Sequence, residues 1–69
     1  MTDAQKTAHD ALQQAADNWR ENRIEATRFL AQSAWGNTSE KTLTAIYEQE
    51  STLRAAYAEA QAAWLRVAP

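Results

Sequence analysis

Gly36-Asn37-Thr38-Ser39 is the strong breaker in this chain of 69 residues, and its position decides the fold. Glycine takes the left-handed backbone conformation that closes a helix, and Thr38 or Ser39 can cap the helix that follows. Glu40 then falls in the first turn of that second helix, where the helix dipole favours a negative charge. Working outward, the sequence predicts one helix over about residues 3–35 and a second over about 40–67, roughly 50 Å and 42 Å long at ~1.5 Å per residue. The single proline is residue 69, so no proline interrupts either segment. The expected architecture is all-α: one domain over residues 1–69, folded as an antiparallel two-helix hairpin.

Hydrophobic periodicity sharpens this picture. Before the turn, Ala8, Leu12, Ala15, Trp19, Asn22, Ala26, Phe29 and Ser33 recur at alternating steps of four and three. After it, Leu43, Ile46, Glu50, Leu53, Tyr57, Ala60, Trp64 and Val67 do the same. An average step of ~3.5 residues is a coiled-coil seam, so the two stripes can face each other. Folding about Gly36 pairs positions whose numbers add to about 74, as expected for neighbouring antiparallel helices joined by a short turn. Each stripe has one polar interruption near its middle, and this pairing brings Glu50 close to Asn22 and Arg23. Two dispositions are open. Asn22, Arg23 and Glu50 can form a polar cluster that fixes the register. Alternatively, Glu50 leans to solvent and pairs with Arg54 one turn on.

Composition then poses a problem. The chain is 45% hydrophobic, but sixteen of those residues are alanine, and Leu, Ile, Val and Phe together number nine. Alanine makes helix but buries little. A single seam gives such a chain a thin core, and small domains are marginal even with good ones. Yet the seam does not use the apolar surface that is present. Residues 55–65 read Ala-Ala-Tyr-Ala-Glu-Ala-Gln-Ala-Ala-Trp-Leu, apolar nearly all round the helix. Ala55, Ala58, Ala62 and Leu65 form a second stripe on the side away from Tyr57, Ala60 and Trp64. The expected partner-binding residues are therefore Ala55, Tyr57, Ala58, Ala62, Trp64 and Leu65. Trp35, beside the turn, is a further candidate for a contact. The hairpin is expected to be completed by a protein partner, either another helical protein or a second copy that makes a helical bundle.

Residue chemistry argues against other function classes. There is no cysteine, hence no disulfide framework or thiolate metal site. His9 is the one histidine, and no Glu-x-x-His spacing marks a metal site in a bundle. Glu21 and Glu25 stand one turn apart, but Arg20, Arg23 and Arg28 interleave with them as on a solvated charged face. Phosphate-cradling loops need glycines that this chain lacks. No catalytic residue, metal ligand, cofactor or small-molecule substrate is expected. A net charge of −2 disfavours nucleic acid as a partner. No apolar run approaches the roughly 20 residues of a membrane span. The opening residues lack the apolar stretch of a signal peptide, so a cytoplasmic location is expected.

Two bacterial secretion families share this layout. The turn glycine Gly36 and the stretch Tyr47-Glu48-Gln49-Glu50-Ser51 give the chain its resemblance to the small co-chaperones of type III secretion needle subunits, which are helical hairpins of similar size. The resemblance covers the whole hairpin. It implies a non-enzymatic protein that binds a tetratricopeptide-repeat chaperone and helps keep a needle subunit monomeric before export. The chain also resembles the WXG-type secreted hairpins, but its turn reads Ala34-Trp35-Gly36-Asn37, without Trp-x-Gly, and Tyr57 is followed by Gln61 where an export signal has an acid. A homodimeric four-helix bundle with a regulatory or inhibitory role is the main alternative. An RNA-binding hairpin dimer ranks below it.

Overall fold

The computed structural model describes residues 1–32 and 39–69. Two helices account for nearly all of them: α1 spans Asp3–Gln32 and α2 spans Glu40–Val67. The second helix has the bounds read from the sequence. The first is expected to continue to position 35, but Trp35 and the turn glycine Gly36 lie outside the described residues.

Local chemistry sets the described ends. Ser39 has extended backbone angles (φ −69°, ψ 153°), and its Oγ accepts the Thr42 backbone N–H at 3.1 Å, so it is the N-cap of α2. Thr2 and Gln5 form a reciprocal pair at the start of α1. The Gln5 N–H donates to Thr2 Oγ1 at 3.1 Å, and the Thr2 N–H donates to Gln5 Oε1 at 2.9 Å. This is a capping box, satisfying two helix-end donors at once. The spacing Thr2-x-x-Gln5 is legible in the sequence. At the far end, Pro69 disfavours helical angles at the preceding residue. Ala68 accordingly turns extended (φ −63°, ψ 145°) and ends α2, with its N–H still bonded to the Trp64 carbonyl.

The helices pack antiparallel along their length. Near the chain ends, Ala4, Ala8 and Ala11 share a groove with Ala63 and Val67. Towards the turn, Ala26 and Phe29 share one with Thr42 and Ile46. Gln5 Nε2 donates to the Val67 carbonyl at 2.8 Å, tying the start of α1 to the end of α2. Every α2 position of the expected seam is half-buried, and so are the α1 positions from Ala8 to Ala26. Phe29 remains 43% exposed.

Shape reveals what this packing leaves undone. The molecule measures 51 × 16 × 13 Å with a radius of gyration of 15.7 Å, against about 11 Å for a compact domain of this length. Its accessible surface is 5433 Å², about 1,100 Å² more than a compact protein of 7.7 kDa exposes. No described residue is fully buried. One helix–helix contact covers one stripe of each helix, and a core needs a second layer.

Candidate interaction surface

The two faces of α2 have different neighbours. On the inner face, Tyr57 packs against Trp19 with ring centroids 5.5 Å apart. Trp64 meets the His9 ring edge-on at 5.7 Å. Both aromatics are half-buried by α1. Two of the expected partner-binding residues, Tyr57 and Trp64, thus serve the hairpin's own seam. Ala55, Ala58, Ala62 and Leu65 lie exposed on the outside, Leu65 at 69%. They project away from α1, round the helix from the seam.

The polar centre of the seam is assembled from three residues. Glu50 sits between the helices with its side chain 31% exposed. Its Oε1 accepts a hydrogen bond from Trp19 Nε1 at 3.4 Å and lies 3.7 Å from Arg23 Nε. The Arg23 guanidinium also stands 5.9 Å over the Trp19 ring, a cation–π arrangement. Arg23 remains 64% exposed, so its ion pair with Glu50 contributes at most about 1 kcal/mol. Glu50 therefore turns to α1 instead of Arg54. Asn22 is not drawn in: its Nδ2 is buried without a hydrogen-bond partner. Such an orphan donor costs about 1–3 kcal/mol. Trp19 takes the place expected of Asn22, because an indole N–H on the seam reaches a carboxylate one turn along the partner helix. Its position one turn before Arg23 was the available signal.

Beside Asn22 the two helices part into an open, mostly apolar groove lined by Ala26, Phe29, Thr42 and Ile46. On the other side of the hairpin, Ala16, Trp19, Arg20, Ile24 and Tyr57 line a second one. Ile24 is 52% exposed, Leu30 36% and Tyr47 65%. These add to the apolar surface that the hairpin leaves open.

Catalytic geometry is thin. His9 Nδ1 lies 3.7 Å from Asp10 Oδ1, beyond hydrogen-bond reach, and its ring is engaged with Trp64. Among the described residues there is no group of three or more His, Cys, Asp or Glu side chains able to hold a metal ion. Also among them, no helix is long and apolar enough to cross a membrane. Lys6 pairs with Asp10 at 3.3 Å and Arg20 with Asp17 at 2.8 Å, both on the solvent side of α1. Comparison with protein-family models, with curated proteins and with solved structures finds no match to this chain.

Proposed function

We propose that this chain is a non-enzymatic interaction module that completes its core by packing its exposed helix faces against another protein. The observation that carries the reading is the unfinished core. Two helices of 30 and 28 residues meet along one seam, and no described residue is fully buried. Apolar surface is left over on both helices, at Ile24, Phe29 and Leu30 on α1 and at Tyr47 and Leu65 on α2, and the exposed alanines of α2 let a partner helix approach closely. Helices with this pattern are stabilised by tertiary packing far more than by propensity.

The more specific reading is a cytoplasmic co-chaperone of a bacterial type III secretion system. It is supported by the hairpin layout and by the stretch Tyr47–Ser51, in which Tyr47, Glu48 and Ser51 are exposed while Glu50 joins the seam. In that role the exposed faces would rest on a helical-repeat chaperone, and the pair would hold a needle subunit monomeric. Thermal unfolding followed by circular dichroism tests the general reading. The isolated chain at high dilution is expected to melt broadly and early, and a bound partner is expected to raise and sharpen the transition. A sharp melt of the isolated monomer, independent of concentration, would overturn it. Titration with a tetratricopeptide-repeat chaperone of a needle subunit tests the specific one.

A further inference from the structure

We infer that the outer face of α2 docks on the same face of a second copy of this chain, antiparallel about a two-fold axis between Ala55 and Ala58. This rests on the interaction-module reading and names the partner. Six residues carry it: Tyr47, Ser51, Ala55, Ala58, Ala62 and Leu65. All are exposed, Tyr47 at 65% and Leu65 at 69%. Their spacing averages about 3.6 residues, the period of a straight helix, so they form one unbroken stripe along α2.

The order of sizes along this stripe is a palindrome. It runs from a large side chain through four small ones to a large one. A two-fold interface is self-complementary: if one residue meets a second, the second meets the first in the other copy. Antiparallel docking about the midpoint sets Tyr47 against Leu65, Ser51 against Ala62 and Ala55 against Ala58, each pair formed twice. Small residues at the centre let the helix axes approach to about 8 Å, and the bulky pairs close the two ends.

Charge selects the direction. Glu48 follows Tyr47 and Arg66 follows Leu65, both on the same flank of the stripe and both exposed. Among the described residues, neither has an ion-pair partner within the chain. Antiparallel helices bring like flanks together, so Glu48 of each copy meets Arg66 of the other. Parallel docking brings unlike flanks together, so Glu48 and Arg66 of the two copies would lie on opposite sides of the contact and leave these charges unpaired.

Sedimentation equilibrium of the whole chain, with three sets of variants, tests the proposal. Wild type is expected to show a reversible monomer–dimer equilibrium, and Ala58→Arg to abolish the dimer while the chain keeps its helical content. Glu48→Arg or Arg66→Glu alone should weaken dimerisation about tenfold, since two rim ion pairs become repulsive, and the double exchange should restore it. The native chain has no cysteine, so Ser51→Cys mixed with Ala62→Cys should yield a crosslinked pair on oxidation. Ser51→Cys alone should not. A dimer whose charge exchange gives no rescue, or that crosslinks 51 to 51, would overturn the antiparallel stripe. A chain that stays monomeric and melts broadly would overturn self-association and leave the module to a different protein. A monomer with a sharp melt would overturn both readings.

Discussion

Tyr57 and Ala58 are adjacent in sequence and point about 100° apart around α2, one half-buried and one exposed, and the contrast between the two faces they belong to organises the molecule. The inner face, with Leu53, Tyr57, Ala60, Trp64 and Val67, is half-buried against α1. The outer face, with Ala55, Ala58, Ala62 and Leu65, is exposed. Large aromatic side chains went to the contact that one chain can make by itself. Small side chains went to the surface that needs a close approach from outside. Substitutions on the inner face should therefore damage the hairpin, and substitutions on the outer face should damage only assembly.

Trp19→Ala breaks the inner side of that contrast most severely. It removes the ring that packs on Tyr57 and the donor to Glu50. Full burial of a Trp would make the loss about 3–5 kcal/mol; at half burial, about 2–3 kcal/mol is expected. Denaturant unfolding should show that loss together with reduced helicity in the monomer. On the outer face, Ala62→Glu should leave helicity intact and abolish assembly, because a lone charge would be buried in a helix–helix contact. Should Ala62→Glu instead unfold the monomer, the two faces would not be separable.

Asn22→Leu sharpens the inner face. It removes an orphan donor and extends the apolar lining beside Ala26 and Ile46, so a gain of about 1–2 kcal/mol is expected in chemical denaturation. Thr2→Ala removes one half of the capping box and should cost about 1 kcal/mol. Gln14→Ala is the smallest change. Gln14 is exposed and bonded only to Asn18 one turn on, so an effect within about 0.5 kcal/mol is expected.

Most of this fold is legible in the sequence, for identifiable reasons. Seam positions recur at coiled-coil spacing, Ser39 has the hydroxyl a helix start needs, and Pro69 fixes the end of α2. The polar centre was only half legible. Position places Glu50 opposite Arg23, but periodicity cannot tell which polar groups on a stripe will bond. That choice depends on side-chain reach: the Trp19 indole N–H reaches Glu50, and the shorter Asn22 amide stays unpartnered. The interaction surface had the reverse difficulty. Periodicity already sets Tyr57 and Trp64 on the seam and Ala55, Ala58, Ala62 and Leu65 on a second stripe, but only the packing shows that the hairpin itself takes up the two aromatics.

Far-ultraviolet circular dichroism on serial dilution tests the central claim, an unfinished core, most directly. If the hairpin depends on association for its second layer, the thermal midpoint read from that signal should fall steadily as the protein is diluted through the micromolar range, while the diluted monomer stays helical at low temperature. A sharp thermal transition whose midpoint stays constant to the lowest measurable concentration, in a chain shown to be monomeric there, would contradict the account.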